Sequence, residues 1–150
     1  MKIGAIVICR YNSSRLPGKI LKKINGKPIL TYIIDRLKCV QNLDDFIVAT
    51  SINTTDQPIV DYCIKNQIKY FRGSLENVAE RFLHAGLKFH YDYAIRVNGD
   101  NLFLDHKLIS EMISVLDLNR YDLVSNVKDR TFHKGISVEI VNINLYKKLF

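Results

Sequence analysis

Cysteine is scarce in this chain. The three present, Cys9, Cys39 and Cys63, have no C-x-x-C spacing. That excludes a disulfide framework and a cysteine-built zinc site, and suits reduced thiols in a cytoplasm, read as small buried apolar groups. No apolar run approaches the ~20 residues of a membrane span. The segment from Met1 to Cys9 is too short for a secretory leader and leads straight into a polar loop. Repeats, low-complexity tracts and linker-like stretches are missing, so the 150 residues read as one domain. His84, His90, His106 and His133 lack metal-ligand spacing. The phosphate-binding pattern G-x-x-x-x-G-K-[ST] is absent too, which disfavours a P-loop ATPase.

Acidic residues are almost absent from the first quarter. Residues 1–38 hold nine Lys or Arg against Asp35 alone, whereas the rest of the chain is close to neutral. The excess clusters around one glycine-containing loop. Without interleaved aromatics or a nucleic-acid-binding motif, a pocket for a polyanionic small molecule explains this asymmetry better than a nucleic-acid surface. Apolar residues make up 47% of the chain, with seven Phe and eight Tyr, enough to build a core and to exclude disorder as the dominant state.

Ile3 to Cys9 is a continuous apolar, β-branched run, as in a strand buried on both faces. Pro28 opens an amphipathic helix with Ile29, Leu30, Ile33, Ile34 and Leu37 on one side. Further strands are expected at 46–50, 69–71, 93–97, 123–125 and 136–141. Helices are expected at 56–66, capped at Thr54 or Thr55 with Ile59, Val60, Cys63 and Ile64 inward, and after Ser74, carrying Val78, Phe82, Ala85 and Phe89 inward. Another runs from a cap at Asp105 to about Leu118. The alternation predicts an α/β fold, a three-layer α/β/α sandwich around a mainly parallel sheet. After the last strand, residues 142–150 start a helical pattern that stops, which reads as a domain incomplete at its C-terminus or a last segment packed in an unusual way.

In a parallel α/β sheet, ligands bind beyond the carboxyl ends of the strands. The loop from Arg10 to Lys19 occupies that place. Its backbone N–H groups between Asn12 and Gly18 can cradle phosphate oxygens, and Arg10, Arg15 and Lys19 add charge. The plain alternative is a solvated basic loop closing a strand–helix unit. Asn98-Gly99-Asp100-Asn101 ends another buried strand and is either a simple turn or a site for a hard carboxylate. Arg81 is either a ligand contact or a surface helix charge beside Glu76 and Glu80.

Strand, Arg10-x4-Arg15-Leu16-Pro17-Gly18-Lys19, then Asn25-Gly26-Lys27-Pro28-Ile29-Leu30, resembles the opening of the sugar-activating cytidylyltransferases. These include the acylneuraminate and 3-deoxy-manno-octulosonate enzymes, and the pattern looks most like the spore-coat-polysaccharide type. The resemblance continues through Ile47 to Ser51, Phe71-Arg72-Gly73-Ser74, Asn77-Val78-x2-Arg81, Arg96 to Asp100, Arg130-Thr131-Phe132 and Gly135-Ile136-x-Val138-Glu139. It implies a Rossmann-like nucleotidyltransferase fold and Mg²⁺-dependent transfer of CMP from CTP to a sugar, sugar acid or polyol phosphate, with release of pyrophosphate, for surface polysaccharide or glycoconjugate biosynthesis.

By the same resemblance, Arg10 and Lys19 are catalytic triphosphate-binding groups, with Asn12, Ser13, Ser14, Arg15 and Gly18 around the phosphates. Asp100 is a catalytic Mg²⁺ ligand. Arg72, Gly73 and Ser74 face the cytosine, with Arg81 nearby, and Lys134 and Glu139 line the acceptor side. The implied partners are CTP and a small anionic or sugar acceptor, without nucleic acid or membrane; a homodimer is compatible, and the location is cytoplasmic. A catalytically inactive nucleotide-binding or regulatory domain is the competing reading, and nucleic-acid binding through the basic first quarter is a third.

Overall fold

The N-terminal apolar run forms strand β1 (Ile3–Ile8), five of whose six residues are buried. It has a parallel neighbour on each side, β4 (Asp45–Ser51) and β6 (Tyr93–Asn98). Parallel strand β5 (Tyr70–Gly73) extends the sheet beyond β4. On the other side, β8 (Glu139–Asn142) runs antiparallel to β6 and pairs with β7 (Leu123–Ser125), giving the order β5-β4-β1-β6-β8-β7. Two further two-residue strands, β2 (Lys23–Ile24) and β3 (Lys27–Pro28), form a small separate hairpin. This computed structural model describes residues 1–13, 16–119, 121–129, 132–133 and 135–150.

The pleat of the sheet divides its side chains between two cores. Ile3, Ala5 and Val7 of β1 meet helices α1 (Ile29–Leu37), α2 (Gln57–Lys65) and α4 (His106–Asn119) through Leu30, Ile33, Ile59, Ile109 and Ile113. Ile6 points the other way, to α3 (Val78–Lys88) and the short α5 (Ile143–Lys148), where Phe82, Leu83, Ala85 and Ile143 are buried. The result is the expected three-layer sandwich, with β5, β4, β1 and β6 parallel and β8 reversed. Among the described residues no helix is long and apolar enough to cross a membrane.

Local departures from these expectations have physical causes. Ile64, expected inward, is 59% exposed. It lies about 100° beyond Cys63 around α2, off the buried stripe. Asp56 does not open α2. A 3-10 turn over Thr54–Asp56 precedes the helix, and Asn53 rather than Thr54 or Thr55 caps it by accepting from the Thr55 N–H at 2.9 Å. Likewise Asn77, not Ser74, caps α3 by accepting from the Glu80 N–H, while the Ser74 hydroxyl accepts from Asn77 N–H one turn earlier. Asp105 caps α4 as expected, accepting from the N–H groups of Lys107 and Leu108.

Strand β8 starts later than expected because the Asn126 side chain bonds both the Ile136 carbonyl and the Val138 N–H, in place of a ladder. The terminal helix does pack. Ile143 sits against Gly86, where an added Cβ would come within 2.6 Å of its Cδ1, and Tyr146 meets Phe82 edge-on at 5.5 Å. Cys9 and Cys63 are buried as expected, but Cys39 is exposed.

Candidate active site

The strand order turns at β1. The chain proceeds from β1 to β4 and β5 on one side, then returns to place β6 on the other. The crevice beyond β1 and β6 is therefore the switch point at which such sheets take ligands. A cavity of about 330 Å³ lies there. Its walls are the segment after β1 (Arg10, Ser13, Lys19), Glu76 just before α3 with Val78 and Arg81 of its first turn, and the end of β6 with the turn that follows (Asn98, Gly99, Asp100).

The loop after β1 is organised by its own main chain. The Tyr11 carbonyl accepts from the N–H groups of Ser13 (3.0 Å) and Gly18 (2.7 Å). Gly18 has φ +69°, and a Cβ on it would meet the Tyr11 ring at 3.0 Å. Both the backbone sign and the close approach therefore require glycine there. Lys19 follows at once and donates from Nζ to Asp100 Oδ2 at 2.5 Å. The two side chains are 31% and 56% exposed, so their pairing contributes little to folding.

Asp100 is placed by its neighbour. Gly99 N–H donates to the Ile8 carbonyl at 2.9 Å, closing the end of β6 onto the end of β1. A Cβ on Gly99 would lie 2.5 Å from Cys9 Cβ and 3.0 Å from the Ile8 carbonyl oxygen. The turn reading of 98–101 and a place at the cavity are compatible: Asn101 N–H bonds the Asn98 carbonyl, and Asp100 lines the cavity from within the turn. Gly99→Ala is expected to cost about 1–3 kcal/mol by overpacking this junction, read as a lowered midpoint in urea unfolding.

Arg81 departs most from the expectation of a surface helix charge. It is 2% exposed, its Nη1 donates to the Ser74 carbonyl at 2.5 Å, and its Nε has no hydrogen-bond partner among the described residues. Burial lowers its pKa, and the nearby charge of Arg10 acts in the same direction. A guanidinium remains charged even so. Arg10, Lys19 and Arg81 thus bring three cations to one cavity, against the carboxylates of Glu76 and Asp100.

Several expected contacts lie elsewhere. Arg72 is engaged by the turn between β4 and α2. Its Nε donates to the Ser51 carbonyl, Nη1 to Gln57 Oε1, and Nη2 to the carbonyls of Ile52 and Asn53, all at 2.9–3.0 Å. Gly73 and Ser74 do not line the cavity, although their successors Leu75 and Glu76 do. Gly73 instead leaves room for the stem of Arg81, whose Cγ would be 3.0 Å from an added Cβ. Asn12 is exposed and Gly18 lies behind Tyr11, so of the loop's described small residues only Ser13 reaches the cavity.

Glu139 is on β8 opposite Arg96 and faces a separate, mainly apolar groove of about 440 Å³ between α3 and α5. It does not line the main cavity. Ser14, Arg15 and Lys134 lie outside the described residues. The basic first quarter is not one patch either: Lys2 bonds the Phe89 carbonyl, Arg36 the Leu104 carbonyl, and Lys27 pairs with Asp35.

A smaller cavity of about 260 Å³ adjoins the first, sharing Asn98 and Asp100 and adding Asn101, Phe103 and Ser137. Among the described residues no three His, Cys, Asp or Glu side chains converge as a metal cage. Cys9 lines the main cavity, but burial pushes its thiol far above the ordinary range, so it is no thiolate nucleophile. Cys63 is likewise pushed up to about 12 by burial.

Sequence reasoning missed Glu76 and Asp56. Asp56 is fully buried behind the loop, where Oδ2 accepts from Thr50 Oγ1, Ser51 N–H and Ser51 Oγ, while Oδ1 accepts from Tyr11 N–H. Burial pushes its carboxyl up, but these bonds together outweigh it and hold the pKa below the usual carboxylate value. The available signal is a carboxylate five residues past a strand ending in Thr50-Ser51.

The fold is a Rossmann-like α/β sandwich with a crevice lined by Arg10, Lys19 and Arg81 beyond its first strand, and comparison with known proteins narrows that class. The cytidylyltransferase family profile matches residues 4–150. The chain is 33% identical over 146 residues to the spore coat polysaccharide biosynthesis protein SpsF of Bacillus subtilis, covering 93% of this chain and 59% of that protein. It is 30% identical over 152 residues to a 3-deoxy-manno-octulosonate cytidylyltransferase of Geotalea daltonii, covering 95% and 56%. A solved cytidylyltransferase from Leptospira borgpetersenii superposes with a TM-score of 0.92 at 31% identity, covering 99% of this chain and 63% of that one. This chain belongs to the cytidylyltransferase family. It spans under two thirds of the length of the curated relatives it matches.

Proposed function

We propose that the chain carries the nucleotide-binding site of an enzyme that transfers CMP from CTP to a sugar acid or related sugar. The observation that carries this reading is the convergence of Arg10, Lys19 and Arg81 with Asp100 on one cavity at the switch point of the sheet, in a member of this family. In the reaction, an acceptor hydroxyl oxygen forms a bond to the α-phosphorus of CTP. The bond from that phosphorus to the bridging oxygen breaks, pyrophosphate departs, and the hydroxyl proton is lost.

Such a displacement needs positioning and charge neutralisation more than covalent help from the protein. Arg10 and Lys19 stand where the triphosphate would enter, and Arg81 supplies a buried charge at the inner wall. Lys19 is held toward Asp100 by their ion pair and turns to phosphate oxygens when the nucleotide enters. The expected cofactor is Mg²⁺. Asp100, at the cavity edge, fits a cation that takes one or two carboxylates and completes its shell with phosphate oxygens and water. When bound, Mg²⁺ would supply further neutralisation of phosphate charge.

The acceptor is assigned to the adjoining cavity, where Asn98, Asn101 and Ser137 offer amide and hydroxyl partners for sugar hydroxyls. The names of the two curated relatives favour a surface-sugar or octulosonate acceptor. The reaction is assigned to the cytoplasm. The test is pyrophosphate release from CTP with a panel of acidic and neutral sugars. Release that needs both CTP and one acceptor class supports transfer; nucleotide binding without release with any acceptor favours the non-catalytic reading.

A further inference from the structure

We infer that Asp56 is a positioning residue that sets the phosphate-facing loop by holding the main chain of Tyr11. The inference rests on the nucleotide reading above only for its consequence in binding. Its geometry stands apart from that reading.

Asp56 belongs to the turn before α2, a different strand–helix unit from the loop it touches. Its carboxylate is fully buried, and three of its four hydrogen bonds are local: Thr50 Oγ1 at 2.9 Å, Ser51 N–H at 3.0 Å and Ser51 Oγ at 2.5 Å, all to Oδ2. These fix the orientation of the carboxylate. The other oxygen, Oδ1, reaches across 45 residues of sequence to accept from Tyr11 N–H at 2.7 Å. Bonds to an ionised acceptor are the stronger kind, and burial keeps water from competing.

Tyr11 is the hub of the loop. Its N–H is held by Asp56, and its carbonyl gathers the N–H groups of Ser13 and Gly18. Arg10 immediately precedes Tyr11, and Lys19 immediately follows Gly18. Arg10 therefore adjoins a peptide N–H held directly by a single buried carboxylate, and Lys19 follows a residue held to it through one further bond. A carboxylate that served only α2 and β4 would have no need of the fourth bond. Phosphoryl chemistry gives the bond a purpose, because an error of about 1 Å in placing a charged group costs on the order of a hundredfold in rate.

The test compares Asp56→Asn with Thr50→Val and with Ile113→Val, a core change in α4 remote from the loop. In Asp56→Asn the new amide cannot serve all four donors, since one side of it carries N–H groups of its own. Thr50→Val loosens the carboxylate's hold but keeps Asp56. Ile113→Val reports general destabilisation. Hydrogen–deuterium exchange at Ser13 and Gly18 amides should speed up by about tenfold or more in Asp56→Asn, by less in Thr50→Val, and only in line with global stability in Ile113→Val. CTP affinity should fall by about tenfold in Asp56→Asn, but by less than about twofold when Arg10→Ala and Lys19→Ala are both already present, because the lost placement then has neither loop cation to act on.

Loop exchange that tracks global stability across the three variants overturns the inference, as does exchange unchanged in both Asp56→Asn and Thr50→Val. If Asp56→Asn does not fold, Thr50→Val against Ile113→Val decides by the same criterion. A wild-type chain that binds no CTP, together with faster loop exchange in Asp56→Asn, would remove the nucleotide reading and leave Asp56 as the strut of the loop.

Discussion

Lys19→Ala is expected to weaken CTP binding by about thirtyfold while leaving the fold intact. The side chain has two separable roles. In the free protein Lys19 bonds Asp100 at 2.5 Å, but both groups are partly in water, so losing the pair should change unfolding stability by less than about 1 kcal/mol. In the proposed nucleotide complex, the same ammonium would face triphosphate oxygens in the crevice. Loss of a charge-assisted hydrogen bond in that setting costs about 2 kcal/mol, which corresponds to the thirtyfold change. Calorimetric titration with CTP and a urea melt on the same sample measure both quantities. A large loss of stability, or affinity unchanged within about twofold, would place Lys19 outside the nucleotide site.

Asp100→Asn should have the opposite signature, with turnover lost and metal-free binding retained. The substitution keeps the size of the side chain and its place in the 98–101 turn, which depends on Gly99 and on the Asn101 N–H. It removes one of the two acidic charges among the described residues lining the cavity, and it releases Lys19 from their ion pair. Without Mg²⁺, affinity for CTP should hold or rise a few-fold, because less negative charge meets the triphosphate. The strengthening of CTP binding by Mg²⁺ should disappear, and pyrophosphate release should fall by about a hundredfold or more. An Asp100→Asn protein that still gains affinity from Mg²⁺ and still releases pyrophosphate would show that Asp100 is a turn residue only.

The parts of the fold carried by long patterns were legible in the sequence. The run at 3–9 has the composition of a strand buried on both faces, and it forms the centre of a parallel sheet. Asp105 before a periodic segment is a helix cap. The rule that ligands sit beyond strand ends points to the crevice from the sequence alone. The β2–β3 hairpin is less visible because two-residue strands show no alternation. Its Asn25-Gly26 turn carries the signal, with φ of 50° and 78° at the two positions.

Arg81 shows how a legible signal can be overridden. It lies three residues after Val78 and four before Ala85, inside the apolar stripe of α3. A charge on a helix argues for exposure, but the helical period places this side chain correctly, against the inner wall of the cavity. The fate of Arg72 was not legible at all. Its guanidinium meets three main-chain carbonyls of a turn some twenty residues earlier, and no local pattern encodes that. Asp56 is similar, since its decisive bond spans 45 residues and ends on a backbone N–H that any residue but proline would offer.

Whether the crevice beyond β1 and β6 takes CTP is decided by calorimetric titration of this chain with CTP, UTP, GTP and ATP, each with and without Mg²⁺. CTP should bind at least about tenfold tighter than the other three, about 1.4 kcal/mol of selectivity, with binding strengthened by Mg²⁺ and weakened by Lys19→Ala. Equal affinity for all four nucleotides, or no binding by a folded chain, would contradict a CTP site at this crevice.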